Sequence, residues 1–221
     1  MPVNKIVYQS IIAELEPQNV TLVAVSKMKP VSDIETLYKL GQRDFGENYV
    51  QEFVEKVPQL PIDINWHFIG HLQSNKVKYI APFVHLIHGV DSFKLLQEIN
   101  KQALKNNRVI NCLLQVHIAD EATKFGFDEA ELDIAIQQLK ELNNIKVTGL
   151  MGMASLSDDT DKISSEFKYL KQLYDRYSQL LTPNSQFQTL SMGMSGDYQL
   201  AIKHGSNMVR IGSLLFGSRA R

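Results

Sequence analysis

The chain has 221 residues, a formal net charge of −1, 44% hydrophobic and 21% charged side chains, and one cysteine. That is apolar enough to bury a substantial core, and too nearly neutral to draw nucleic acid or an anionic membrane through a general field. Cys112 alone cannot make an internal disulfide, and no apolar run is long enough to span a membrane or placed to form a leader. A cytoplasmic protein that binds neither nucleic acid nor membrane is expected.

Residues 4–16 carry apolar side chains at helical spacing and stop before Pro17. A first strand over 20–27 follows, ending in the run T-L-V-A-V-S-K at 21–27. Alternation along a strand puts Thr21, Val23, Val25 and Lys27 on one face. Lys27 therefore has two readings. Its stem could finish the apolar row while the ammonium snorkels to water, or it could be a partly desolvated amine that attacks a carbonyl.

From there strands and helices alternate. Helix 31–40, closed by Gly41, is followed by strand 44–48, helix 49–57, strand 65–70, a short helix 76–80 and strand 84–90. Helix 92–105 has Ser92 as its N-cap, and strand 110–118, helix 128–142 and strand 146–153 come next. Helix 160–181 is stopped by Pro183; strand 188–193, helix 197–204 with Gly205 behind it, and strand 207–216 complete the pattern. Eight strands, at about 27 residues per unit, predict an α/β fold: a single-domain (β/α)8 TIM-type barrel over 1–221 with an extra N-terminal helix. A doubly wound open sheet is the competing architecture. Gly70, Gly89, Gly152, Gly193 and Gly212 fall at strand ends, which predicts low walls at the C-terminal mouth, where such folds bind ligands.

Two segments stand out at that mouth. The stretch S-M-G-M-S-G-D at 191–197 joins a strand to a helix start, where unpaired N–H groups, Ser191, Ser195 and Gly196 suit a phosphate; a capped turn, with Ser195 or Asp197 as N-cap, explains it equally well. Arg210-Ile211-Gly212-Ser213 ends the eighth strand in a second donor-rich turn, and barrels often hold phosphate between the loops after strands seven and eight. Arg210 shares a face with Met208, so it is an arginine on an apolar strand and needs a partner. The six histidines include His85 and His88, which alternation would send to opposite faces; most read as hydrogen-bonded scaffold, and no metal site is expected. A lysine from strand one, two phosphate-donor turns and an arginine from strand eight become neighbours on closure. Pyridoxal 5′-phosphate (PLP) needs that arrangement.

The sequence resembles the pyridoxal phosphate homeostasis protein family, related to the N-terminal barrel of alanine racemases. The resemblance rests on A-V-S-K at 24–27, F-G-E-N-Y-V-Q-E at 45–52, H-F-I-G-H-L-Q-S-N-K at 67–76, L-S-M-G-M-S-G-D at 190–197 and V-R-I-G-S-L-L-F-G-S-R at 209–219. It implies PLP held as an imine on Lys27, phosphate contacts from the Ser195-Gly196 and Gly212-Ser213 turns, and Arg210 at the pyridine nitrogen. It also brings Asn48, His67, Ser191 and Met194 into the cofactor set. Asn207 and Ser213 stand where threonine is common, and Gly152 where a larger residue is usual, which would loosen that wall. The implied role is non-catalytic, with a monomer buffering intracellular PLP and delivering it to apo PLP-dependent enzymes. An amino-acid racemase and a Schiff-base aldolase acting on a small phosphorylated substrate are the alternatives. Racemases add a second acid–base residue from a separate domain and a partner subunit. This chain is expected to lack that domain, because it stops soon after strand eight.

Overall fold

A computed structural model describes residues 3–119, 125–179 and 185–217. Strands β1 (Thr21–Val25), β2 (Asp44–Glu47), β3 (Asn65–Phe68), β4 (Leu86–Val90), β5 (Ile110–Gln115), β6 (Ile145–Met151), β7 (Ser185–Met194) and β8 (Met208–Ile211) run in that order around a closed barrel. Every neighbouring pair is parallel, and β1 closes against β8 with Val23 opposite Arg210. The barrel reading therefore stands over the open sheet.

Around it lie α1 (Lys5–Leu15), α2 (Val31–Lys39), α3 (Val50–Lys56), α4 (Val77–Ile80), α5 (Phe93–Lys105), α6 (Glu129–Gln138), α7 (Thr160–Ser178), α8 (Tyr198–Lys203) and α9 (Ser213–Phe216). Ser92 caps α5 by accepting from the Leu95 N–H, and Asp128 with Glu131 forms a capping box on α6. No described helix is long and apolar enough to cross a membrane.

Period-two alternation sorts the strand residues into two cores. Val23, Leu86, Leu113, Met151 and Met208 fill the barrel interior. Their neighbours Leu22, Ala24, Phe45, Ile87, Cys112 and Val209 face the helices. Cys112 is fully buried there, and burial pushes its thiol pKa far up, as befits an inert core side chain. The N-terminal helix packs across the closing seam: Asn4 N–H donates to Leu215 O at 2.8 Å, and the Tyr198 hydroxyl to Glu14 at 2.8 Å.

Several sequence expectations shift. β1 ends at Val25, so Lys27 lies in the turn that follows the strand. The strand expected over 207–216 stops at Ile211, because Gly212 breaks it and the apolar residues beyond wind into α9, burying Leu215 and Phe216. His85 precedes β4 and is not bound by its alternation; both His85 and His88 face His67, with ring centroids 5.5 and 5.1 Å away. The far end of the helix expected over 160–181, with Pro183, and Arg219 of the last motif lie outside the described residues.

The strand-end glycines do not all lower the mouth. A Cβ on Gly70 would lie 2.3 Å from Asn48 O, and one on Gly89, within β4, would lie 2.5 Å from Gly70 O, so these glycines let the loop after β3 pack against the loop after β2 and against β4. Gly152 faces away from the mouth, and a Cβ there would lie 2.6 Å from Leu170 and 2.9 Å from Ile118. Its small size serves helix packing and does not loosen a pocket wall.

Candidate functional site

A cavity of about 300 Å³ opens at the C-terminal mouth between β1 and β8. Lys27, Asn48, Met194, Ser195, Gly196, Arg210, Gly212 and Ser213 all line it, together with Val25, Lys29, Ile69, Met153 and Gly217. Two expected members do not. His67 lies deeper along β3, and Ser191 sits beneath Arg210.

Lys27 is carried by a turn with an ionic buttress. Lys56 donates to Ser26 O at 2.8 Å, to Glu47 Oε1 at 2.8 Å and to Glu52 Oε1 at 2.6 Å. The Ser26 hydroxyl donates to the same Glu47 oxygen at 2.6 Å, and Glu52 accepts the N–H of Met28, whose φ is +59°. Glu47 is fully buried, and that burial pushes its carboxyl pKa up even with Lys56 beside it. The buttress therefore fixes the backbone on both sides of Lys27. Position alone does not reveal it in the sequence, since its members come from the turn after β1, from β2 and from α3. Its traces in the sequence are Ser26 of the A-V-S-K stretch and Glu47 and Glu52 of F-G-E-N-Y-V-Q-E.

The two glycine turns meet across the cavity, with Gly212 N–H donating to Ser195 Oγ at 3.2 Å. Among the described residues, the N–H groups of Ser195, Gly196, Ser213 and Leu214 find no acceptor. A Cβ on Gly196 would meet nothing within 4 Å, so that turn is open to whatever enters. The helices behind these turns, α8 and α9, have only six and four residues. Anion attraction here accordingly rests on individual N–H and hydroxyl donors rather than on a macrodipole. Lys29 closes the same wall by donating to Phe216 O at 2.7 Å.

Arg210 is only 4% exposed. It donates through Nη1 to Ser191 O at 2.9 Å and Ser191 Oγ at 2.7 Å, and through Nη2 to Gly152 O at 3.0 Å. Three of its five N–H groups are thus used. Among the described residues no carboxylate forms an ion pair with it. Burial lowers its pKa to about 10, so it remains a cation at neutral pH. Asn48 Oδ1 is also buried at the cavity wall without a hydrogen-bond partner. A buried cation, an orphaned acceptor and a row of unused N–H donors in one cavity call for a polar, anionic guest.

Residues 8–220 match the family described as alanine racemase, N-terminal domain. The pyridoxal phosphate homeostasis protein of Haemophilus influenzae is 40% identical over 203 residues, which span 90% of this chain and 85% of that protein. Its namesake from Synechocystis is 40% identical over 215 residues, 96% and 97% of the two chains. The structure of PipY from Synechococcus elongatus with PLP bound superposes with a TM-score of 0.87 at 35% identity, covering 96% of this chain and 98% of that one.

Proposed function

Because the chain belongs to the alanine racemase N-terminal domain family, and within it to the pyridoxal phosphate homeostasis proteins, we propose that it holds PLP reversibly for supply to other proteins. One observation carries this reading: Lys27 and the buried Arg210 share a cavity with two donor turns. The cofactor supplies an aldehyde that condenses with an amine to an imine, releasing water. The residues present fit it. The Ser195-Gly196 and Gly212-Ser213 turns offer hydroxyl and N–H donors for a phosphate, and Gly196 leaves that side open. Arg210 keeps Nε–H and one Nη2–H for a ring nitrogen, and Asn48 Oδ1 awaits a donor. Lys27 provides the amine from its buttressed turn.

Visible absorption of the loaded protein, lost on borohydride reduction, tests the reading directly. Absence of such a band would overturn it. Phosphate anchorage makes a second expectation. Charge-assisted hydrogen bonds contribute about 1.5–3 kcal/mol each, and loss of even one corresponds to about 10- to 100-fold, so pyridoxal without its phosphate should bind at least about 10-fold more weakly. Equal affinities for the two vitamers would remove the turns from the site.

Holding, rather than transforming, is the reading the lining supports. Racemisation needs proton delivery on both faces of a reacting carbon. Among the described lining residues the titratable side chains are Lys27, Lys29 and Arg210, and the Lys29 ammonium is engaged at Phe216 O. With L-amino acids, formation of the D-enantiomer should stay far below the usual enzyme range of roughly one turnover per second. Chiral chromatography reads this. Turnover in that range, abolished by Lys27→Ala, would make the protein an enzyme.

A further inference from the structure

The opposite mouth of the barrel holds a second cavity of about 290 Å³, lined by Asp44, His67, His85, Thr21 and Gln188 among others. From it an unbroken line of hydrogen bonds crosses the barrel interior. Asp44 Oδ1 lies 2.9 Å from His67 Nε2, and His67 Nδ1 lies 2.9 Å from His88 Nε2. His88 Nδ1 lies 3.2 Å from Ser191 Oγ, and Ser191 Oγ lies 2.7 Å from Arg210 Nη1. His67, His88 and Ser191 are 1%, 0% and 0% exposed. The side chain of Asp44 is 24% exposed and also accepts from Asn65 Nδ2 at 3.2 Å.

The two ends dictate where every hydrogen sits. A guanidinium can only donate, so Ser191 Oγ accepts from Arg210, and its one hydrogen goes to His88 Nδ1. Burial, with the Arg210 cation nearby, holds the His88 pKa well down and keeps the ring neutral, so its hydrogen is on Nε2 and points to His67 Nδ1. His67 then carries its hydrogen on Nε2, pointing to the Asp44 carboxylate. The reverse direction would need one more proton, because His67 Nδ1 would donate to His88 while Nε2 still faced a carboxylate.

We propose that Asp44, His67, His88 and Ser191 are positioning residues that act as a one-way relay, holding Arg210 in the donor arrangement it presents to a bound ring nitrogen. The far mouth of the barrel thereby sets the polarity of the near one. This rests on the PLP reading for its ligand, but the relay itself is a property of the chain alone.

The test has two arms. In the ligand-free protein, nitrogen-15 spectra of the histidine rings should show both His67 and His88 as neutral Nε2–H tautomers. In Asp44→Asn, which keeps the shape and removes the charge, His67 should lose that preference and become a mixture. A His88 hydrogen on Nδ1, or a wild-type His67 imidazolium at neutral pH, overturns the relay. In the PLP-loaded protein, Asp44→Asn and His88→Phe should shift the visible maximum in the same direction, although neither residue lines the PLP cavity. Unmoved maxima in both variants, with the band still formed, overturn the link to Arg210. If the wild type forms no band, the PLP reading fails and the tautomer arm alone judges the relay. Thermal melts identify any variant that does not fold; should His88→Phe be one, Asp44→Asn and the wild-type tautomers decide.

Discussion

Replacement of Lys27 by alanine is expected to abolish the visible band and the borohydride-trapped adduct completely, while leaving PLP bound without a covalent link. The amine is the only group lost. The donors of the Ser195-Gly196 and Gly212-Ser213 turns, Arg210 and Asn48 remain in place around the cavity. Affinity should fall by about 10- to 100-fold, or roughly 1.4–2.8 kcal/mol, because the anionic end still binds. Lys29 lines the same wall, yet its ammonium is spent on Phe216 O and so on the end of α9. Peptide mapping of the reduced wild type should therefore find the pyridoxyl group on Lys27. Finding it on Lys29 or Lys76, or on Lys124, which lies outside the described residues, would refute the assignment. So would a complete loss of binding in Lys27→Ala.

Lys56→Met should cost more stability than any substitution at the cavity itself. It removes the ammonium that joins Ser26 O, Glu47 and Glu52, and it leaves the fully buried Glu47 charge with the Ser26 hydroxyl as its remaining partner. Stranding one member of a buried pair costs about 3–5 kcal/mol. For a chain of this size that corresponds to a fall in Tm of roughly 6–20 °C. The double variant Lys56→Met/Glu47→Gln should recover part of the loss, since the stranded charge is gone. Chemical denaturation of the four proteins in the cycle measures this. A single-variant loss below about 1 kcal/mol, or a double variant worse than either single, would show that the buttress is not ionic.

The sequence carried the barrel because its period is local. Apolar strands between amphipathic helices, with caps such as Ser92 and Asp128, are written within ten to twenty neighbouring residues. It carried Lys27, the Ser195-Gly196 turn, Arg210 and the Gly212-Ser213 turn for a topological reason: loops after the first, seventh and eighth strands become adjacent on closure. What it could not carry was depth and direction. Nothing local tells that His67 sits far enough down β3 to miss the cavity, or that β4 shifts register between Ile87 and Val90. The Lys56 buttress was hidden because a lysine on a surface-type helix usually faces water, and only the packing of α3 against β2 turns it inward. Lys29, Ile69 and Met153 entered the lining through loop conformations that no periodicity encodes.

The closing seam between β1 and β8 has a consequence for the order of events during synthesis. The cavity lies across that seam, with Lys27 from one edge and Arg210, Gly212 and Ser213 from the other. A nascent chain exposes Lys27 early, whereas the Ser195-Gly196 and Gly212-Ser213 donor turns emerge only after six further strands. Residues 3–15, already waiting, then clasp α9 and α8 through Asn4 and Glu14. A ligand that bridges the seam binds the closed barrel and not the partly made one, so it stabilises closure by RT ln(1 + [L]/Kd). PLP supply would then act on the fold as well as on the site, with the closed barrel more fully populated when the ligand spans the seam.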